Sequence, residues 1–210
     1  VYLNFPVHLV LICYHPSTVI LWGTNPKDIW VPYRYNPIMT SQSESVRQPL
    51  SAGSLLKRGQ YQIRKAIGAG GFAITYLANQ VGWNWPVAIK EYCPVGSVRT
   101  GGHVVCGPDT STGEFEQGLK GFIQESQLLL RFTHPGIVRI LDQFEEAGTA
   151  YLVEEFLDGV TLESILEKSG PLSFRKALSL VHQVGSALTV VHGAGLVHSD
   201  IKPENIFLCE

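Results

Sequence analysis

Cysteine is scarce in this sequence of 210 residues, and the few cysteines follow no recognisable framework. The four cysteines, Cys13, Cys93, Cys106 and Cys209, form no C-x-x-C pair and no Cys/His cluster at the spacing of zinc ligands. This excludes a zinc ribbon and a C-x-x-C redox site. Because free thiols without a framework are typical of a reducing compartment, we expect a cytoplasmic protein.

A charge excess of one sign is also missing, and so is any long hydrophobic run. The 16 Lys and Arg residues nearly balance the 18 Asp and Glu residues, and the formal net charge is -2. This balance gives no reason to expect a nucleic acid partner. The most apolar stretch, Val7 to Tyr14, contains His8 and is followed by His15-Pro16. It is too short for a membrane span, so no membrane partner is evident.

Charged side chains are almost absent from the first 38 residues, where only Lys27, Asp28 and Arg34 occur. No helical or strand periodicity persists there. Met39 is the only methionine, and a polar, serine-rich segment follows it. We therefore expect residues 1–38 to be a non-native or unstructured extension and residues 39–60 to be a flexible N-terminus. A genuine N-terminal extension is the alternative for residues 1–38.

A regular pattern begins at Tyr61. The segment YQIRKAIGAGGFAITYLANQ predicts a strand, a glycine-rich turn and a second strand. Glycines at positions 68, 70 and 71 allow unusual φ angles and let backbone N–H groups approach a phosphate closely, although an ordinary turn has the same composition. The next predicted strand, Pro86 to Tyr92, contains VAIK and places Lys90 at the end of an apolar run.

The following helix, predicted from about Glu116 to Phe132, carries a carboxylate on its apolar face. Phe122, Glu125 and Leu129 are spaced so that they share one side of the helix. An unpaired carboxylate on an inward face is costly. An ion pair between Lys90 and Glu125 accounts for both charges, and we prefer it to a solvated glutamate at the edge of the helix.

The last third of the sequence predicts two strands and two helices before a polar loop. Thr161 is expected to cap the first helix and Ser173 the second. Apolar residues recur at helical spacing in the second helix and are predicted to be core: Leu178, Val181, Val184, Leu188 and Val191. The chain then enters LVHSDIKPENIFLCE, which contains many polar side chains for a chain end.

Four motifs in this order resemble the signature set of the Hanks-type serine/threonine protein kinases of bacteria. They are GAGGFAITY, VAIK, the inward helix glutamate and HSDIKPEN. The resemblance covers residues 61–210 and implies an α+β, protein-kinase-like fold. It implies a β-rich N-lobe with one helix at about 61–155 and the start of a C-lobe at about 156–210.

The resemblance also implies a site for ATP and Mg²⁺ and a protein substrate with a serine or threonine acceptor. Asp200 would orient or deprotonate the attacking hydroxyl, and Lys202 would contact the γ-phosphate. Lys90, held by Glu125, would contact the α- and β-phosphates, and Asn205 would bind the metal. The residues it assigns to ATP are Ile67, Gly68, Ala69, Gly70, Gly71, Phe72, Thr75, Ala88, Lys90, Glu155, Leu157 and Phe207.

Several positions depart from the family pattern. Ala73 stands in place of the third glycine, and Ser199 stands in place of the arginine of H-R-D. Glu154 lies where an apolar residue is usual at the back of the pocket, which would bury a carboxylate. A Gly/Ser/Thr-rich insertion at 93–115 is expected on the surface, with a regulatory contact as the alternative.

No D-F-G or A-P-E motif occurs in the 210 residues. We therefore expect a kinase domain truncated before D-F-G. The parent enzyme would transfer phosphate from ATP to serine or threonine of proteins, and this fragment would be inactive alone. The alternatives are a nucleotide-binding pseudokinase or regulatory module and a non-functional gene fragment.

Overall fold

The structure, a computed structural model, describes residues 11–14, 47–108 and 111–209. These residues form eleven β-strands, three α-helices and one short 3-10 helix at Pro203–Asn205. The strands are β1 (Leu11–Tyr14), β2 (Leu55–Leu56), β3 (Tyr61–Ala69), β4 (Ala73–Gln80), β5 (Trp85–Tyr92), β6 (Ser97–Thr100), β7 (His103–Cys106), β8 (Ile140–Glu146), β9 (Thr149–Glu155), β10 (Gly159–Thr161) and β11 (Ile206–Cys209). The helices are α1 (Thr112–Leu129), α2 (Leu162–Ser169) and α3 (Phe174–Gly193).

A six-stranded antiparallel sheet in the order β2-β3-β4-β5-β9-β8 forms the centre of the N-terminal half. Alternation along β4 shows how its two faces differ. Ile74, Tyr76 and Ala78 are buried on one face, whereas Thr75 and Leu77 are half-buried on the other. The strands predicted around the glycine-rich turn and VAIK are confirmed.

Helix α1 packs against this sheet through its apolar side. Ser111 caps the helix, because its hydroxyl oxygen accepts a hydrogen bond from the Glu114 backbone N–H at 3.2 Å. Phe115 and Phe122 are buried and lie 5.4 and 5.7 Å from the Tyr92 ring, measured between centroids. The helix begins and ends a few residues earlier than the predicted range of 116–132.

The C-terminal half contains the remaining helices and a small sheet in the order β1-β11-β10. The predicted cap of α2 is confirmed, since Thr161 Oγ1 accepts from the Ser164 N–H at 3.2 Å. The prediction that the stripe on α3 is core is confirmed for Val191 but is wrong for Leu178 and Val181, which are 58% and 65% exposed. The part of the chain that the structure describes has no element covering the first turns of α3.

The N-terminal segments are more ordered than the composition suggested. Residues Leu11–Tyr14 form β1, parallel to β11, whereas the sequence predicts no folded element in residues 1–38. A flexible segment is expected at 39–60, but residues 47–60 are also ordered. There β2 pairs with β3, and the Leu56 side chain is buried. Backbone pairing, which needs no side-chain periodicity, explains both differences. The remaining residues of 1–46 lie outside the described part.

The insertion after β5 also forms regular structure. β6 and β7 pair as an antiparallel hairpin, with Ser97 and Val104 buried. The Val104 N–H donates to the Ala147 carbonyl oxygen at 2.9 Å, in the turn between β8 and β9. The expectation of a surface insertion is therefore wrong for these buried positions. Among the described residues, no helix is both long and apolar enough to span a membrane.

Candidate functional site

One face of the central sheet collects the residues that the kinase resemblance assigned to nucleotide binding. Thr75 lies opposite Lys90 in the β4–β5 ladder, and Ala88 lies opposite Glu154 in the β5–β9 ladder. Because side chains alternate along a strand, Thr75, Ala88 and Lys90 share this face with Glu154. We call it the cleft face, and we call the other side, which carries Glu91, the outer face.

The glycine-rich loop joins β3 to β4 at the edge of the cleft face. The Gly70 N–H donates to the Ala73 carbonyl oxygen at 2.9 Å and closes the turn. Gly68, Gly70 and Gly71 do not have positive φ angles, so the unusual φ angles that glycine allows are not used here. A Cβ atom added at Gly70 or Gly71 would meet no atom within 4 Å. These glycines instead leave open space beside the backbone, which suits a close-approaching phosphate.

Lys90 forms a direct ion pair with the unusual carboxylate at the back of the cleft face. Its Nζ atom lies 2.8 Å from Glu154 Oε1, and the two side chains are 13% and 5% exposed. A buried carboxylate needs such a partner, so this contact explains how the chain accommodates Glu154. Glu125 is half-buried on the side of α1 that also carries Phe122 and Leu129. The Lys90–Glu125 ion pair stays a prediction.

The polar loop before β11 brings three predicted residues, Asp200, Lys202 and Asn205, together with His198. Asn205 Nδ2 donates to Asp200 twice, to the backbone oxygen at 2.9 Å and to Oδ2 at 2.8 Å. Lys202 Nζ lies 3.3 Å from the same Oδ2 atom, and the Asp200 N–H donates to His198 Nδ1 at 3.3 Å. These contacts fix the orientation of the Asp200 carboxylate.

Ser199, between His198 and Asp200, has a φ angle of 61° in the left-handed region. Non-glycine residues rarely adopt this conformation, and it is often found at functional sites. The serine that replaces the usual arginine therefore lies at the strained position of this loop.

The other residues assigned to the adenine lie on separate elements. Ile67 is half-buried at the end of β3, and Phe207 is half-buried on β11. Glu155 is engaged through its side chain, because its Oε1 atom accepts the Arg139 N–H at 2.7 Å, and Leu157 packs against the core. Ala69 and Phe72 are exposed in the glycine-rich loop.

Asn205 is the residue that the sequence predicts to bind a metal. The described part of the chain contains no group of three or more His, Cys, Asp or Glu side chains that could hold a metal. Both hydrogen bonds from Asn205 use its amide nitrogen, so the amide oxygen is the end of this buried side chain that a hard cation would take. The residues present fit Mg²⁺, because Asn205 would supply one amide oxygen as a ligand beside the Asp200 carboxylate.

Sequence reasoning missed a second polar cluster, on the outer face. The Glu91 side chain is fully buried, and its Oε2 atom lies 2.7 Å from both Arg99 Nη2 and the Tyr76 hydroxyl. Its Oε1 atom accepts from the Tyr151 hydroxyl at 2.7 Å. The alternation of Val87, Ile89 and Glu91 was the available signal, because it already placed Glu91 on a buried face.

Burial and the neighbouring carboxylate change the acid–base behaviour of this cluster. Burial first, and then the charge of Glu91, raise the pKa of both tyrosines, Tyr76 and Tyr151, above the usual range. Burial also raises the pKa of the nearby Cys93 thiol to about 11. These groups are neutral at physiological pH, and the Cys93 thiol is therefore a poor nucleophile.

Comparison with known proteins decides the family. The family model described as the protein kinase domain matches residues 61–210. This chain belongs to the protein kinase family. The predicted α+β kinase-like fold and the resemblance to bacterial serine/threonine kinases are therefore confirmed.

Bacterial serine/threonine kinases are among the similar proteins. The chain is 35% identical over 150 residues to "Serine/threonine-protein kinase PrkC" of Bacillus subtilis (strain 168), which covers 71% of this chain and 21% of that protein. It is 33% identical over 159 residues to "Serine/threonine-protein kinase pkn2" of Myxococcus xanthus, and the match covers 76% of this chain and 17% of that protein. The solved structure titled "PpkA-294 apo form" matches with a TM-score of 0.71 at 33% identity, covering 77% of this chain and 58% of that one. The chain thus spans about a fifth of the length of these two curated relatives.

Proposed function

We propose that this chain is the ATP-binding part and catalytic loop of a bacterial serine/threonine protein kinase. The observation that carries the proposal is the Asp200 carboxylate, oriented by Asn205 and Lys202 in one loop. Lys90 on the cleft face adds a cation where phosphates would lie. Phosphoryl transfer requires positioning and charge neutralisation, which these groups can supply.

The proposed reaction uses Asp200 as the group that receives the proton. The hydroxyl oxygen of a substrate serine or threonine attacks the γ-phosphorus of ATP, its proton passes to the Asp200 carboxylate, and the bond from phosphorus to the bridging oxygen breaks to release ADP. Lys202 would stabilise the transferred phosphoryl group. Lys90, oriented by Glu125, would hold the α- and β-phosphates.

The remaining assignments concern the nucleotide and the metal. The open loop from Gly68 to Phe72 would cover the phosphates, and the residues around Ala88 and Phe207 would enclose the adenine. Asn205 would hold Mg²⁺ through its amide oxygen. When bound, Mg²⁺ neutralises charge on the phosphates. We place the kinase in the cytoplasm, where ATP is available.

Residue substitutions in a longer kinase that contains this chain test the roles of Asp200 and Lys90. Asp200→Asn or Lys90→Met should lower phosphoryl transfer by orders of magnitude, since each removes a contact to the reacting groups. Matched controls are Glu167→Gln on α2 and Lys65→Met on β3, which change exposed side chains. The measurement is radiolabel transfer from ATP to an added protein. Unchanged transfer by Asp200→Asn would contradict the assigned role.

For the 210-residue chain alone we propose weak or absent ATP binding and no turnover. The support is the exposed stripe of α3 and the single amide ligand for the metal. Titration with Mg·ATP by calorimetry and a transfer assay would test this. Robust transfer that disappears with Asp200→Asn would show that these residues suffice.

A nucleotide-binding pseudokinase or regulatory module is the second candidate. The Lys90–Glu154 ion pair favours the pseudokinase, because the Glu154 carboxylate already binds the lysine that would contact the phosphates. This candidate predicts ATP binding without transfer in the longer protein as well. A non-functional fragment predicts neither binding nor transfer.

We further propose that residues 61–210 are the kinase part and that nucleotide binding does not need residues 1–38. In a longer kinase that contains this chain, a version beginning at Met39 should bind nucleotide as well as one that includes residues 1–38. Because the longer chain places Leu11–Tyr14 beside β11, equal binding would show that this pairing is dispensable. Loss of binding would identify residues 1–38 as a genuine extension.

A further inference from the structure

The glycine-rich loop is held by hydrogen bonds to three successive carbonyl groups. The Gly70 oxygen accepts from Arg47 Nη2 at 2.8 Å, and the Gly71 oxygen accepts from the Val95 N–H at 2.8 Å. The Phe72 oxygen accepts from the Cys93 N–H at 2.9 Å. All three donors lie outside the loop, in residues 47 and 93–95. This set of contacts is called the loop seam below.

The backbone N–H groups at the tip of the loop differ from its carbonyl groups in their hydrogen bonding. Within the described part of the chain, the N–H groups of Gly71 and Phe72 have no hydrogen-bond partner. Successive unpaired N–H groups are the donors that bind anions such as phosphate. The loop seam thus engages the acceptors of the loop and leaves these two donors available.

Arg47 joins the two sides of the loop seam with one guanidinium group. Its Nη1 atom donates to the Cys93 carbonyl oxygen at 2.5 Å, while Nη2 donates to Gly70. A planar guanidinium can bridge two acceptors in this way, whereas the single ammonium of a lysine is less suited to do so. Arg47 lies 14 residues before Tyr61, outside the matched kinase domain.

The insertion hairpin holds this arrangement from the outer face. Arg99 on β6 donates through Nη2 to the buried Glu91, and its Nε atom donates to the Gln48 carbonyl oxygen at 3.0 Å. Gln48 is the neighbour of Arg47, and Glu91 is the neighbour of Lys90. The hairpin is therefore connected both to the residue that bridges the loop seam and to the strand that carries Lys90.

We propose that Arg47 is a positioning residue that, with the β6–β7 hairpin, holds the glycine-rich loop ready for the phosphates of a nucleotide. The nucleotide part of this inference rests on the proposed function. An unrestrained glycine-rich loop loses much conformational entropy when it orders on a ligand. A loop that is already held loses less entropy. The contacts of Arg47 with Gly70 and Cys93, called the clamp below, should therefore strengthen nucleotide binding.

Hydrogen exchange on the 210-residue chain without nucleotide tests the clamp directly. In Arg47→Ala, the Val95 and Cys93 amides should exchange about ten times faster or more, because charge-assisted hydrogen bonds to Gly70 and Cys93 are lost. Arg47→Lys should restore protection only in part. Arg64→Ala, which changes an exposed arginine on β3, is the matched control and should leave both amides unchanged.

The core amide of Leu152 separates local from global effects. Its exchange should be the same in Arg47→Ala and the unchanged chain, since Leu152 is buried in β9 away from the substitution. Unchanged exchange at Val95 and Cys93 in Arg47→Ala would overturn the clamp. So would equal acceleration at Leu152, because Arg47 would then support the whole fold rather than the loop.

The second measurement concerns the nucleotide and uses a longer kinase that contains this chain. Arg47→Ala should raise the KM for ATP several-fold and leave kcat nearly unchanged, whereas Asp200→Asn should lower kcat. An unchanged KM together with faster loop exchange would overturn the positioning role. Absence of ATP binding by the unsubstituted kinase would contradict the proposed function, while the exchange result would still decide whether the clamp exists.

Discussion

Lys90 and Glu91 are neighbours on β5, and their side chains lie on opposite faces of the sheet. Lys90 points to the cleft face, where its pair with Glu154 keeps some contact with solvent. Glu91 points to the outer face, is 0% exposed, and has donors from Arg99, Tyr76 and Tyr151. One strand therefore carries two ion pairs on opposite faces, and the carboxylate of the outer-face pair is fully buried and accepts three hydrogen bonds.

The difference separates a structural charge from one that can serve function. A buried ion is tolerated when further hydrogen bonds satisfy its lone pairs, and removing one partner is then strongly destabilising. The Glu91 cluster meets this condition and is inaccessible to a ligand. The Lys90–Glu154 pair lies on the cleft face beside the open glycine-rich loop, so a phosphate could compete for Lys90.

The largest expected effect follows from breaking the outer-face pair. Arg99→Met should lower the free energy of unfolding by about 3–5 kcal/mol, because it leaves the Glu91 carboxylate buried without its cation. Urea unfolding followed by fluorescence measures this loss, with Arg64→Met as the control. Adding Glu91→Gln to Arg99→Met should recover part of the stability. A loss no greater than in the control would show that Glu91 is not the structural charge proposed here.

The two tyrosines of the same cluster predict a loss of stability at alkaline pH. Their folded-state pKa values lie above the unfolded value of about 10, so the folded state keeps protons that the unfolded state releases. The stabilisation is complete below pH 10 and falls as the pH rises above it, by ~1.4 kcal/mol for each tyrosine at pH 11. Urea unfolding at pH 9 and 11 measures the change.

Tyr151→Phe tests whether this alkaline loss comes from the outer face. The variant should lose about 1.4 kcal/mol less than the unchanged chain between pH 9 and 11, because one titrating group is gone. Tyr61 and Tyr92, whose pKa values burial also raises, contribute equally to both proteins. Identical losses in the two proteins would contradict a buried, neutral Tyr151.

The smallest effect is expected on the cleft face. Glu154→Gln should change the free energy of unfolding by only about 1 kcal/mol, because the amide can still accept a hydrogen bond and Lys90 retains contact with solvent. Glu91→Gln, the same chemical change on the outer face, should cost several-fold more. Urea unfolding of both variants measures the contrast. Equal losses would remove the distinction between the two pairs.

Local sequence patterns were sufficient for much of the fold. The glycine-rich turn, the strand that carries Lys90 and the cap at Thr161 follow from short-range periodicity and capping chemistry, and all three are present. The loop around Asp200 could be predicted because its residues are contiguous. The order of these motifs also identified the kinase family.

The choice of partners was decided by tertiary structure. Lys90 meets Glu154 across 64 positions of the sequence, and Arg47 meets Cys93 across 46. No local period relates residues that far apart, so the sequence could place each charge on a face without selecting its partner. The ordered segment at 47–60 and the buried hairpin are held to the sheet by contacts with residues far away in the sequence, such as Lys57 with Asp142 and Val104 with Ala147. Those contacts form only after the sheet brings the partners together, which is why composition alone predicted a flexible segment and a surface insertion.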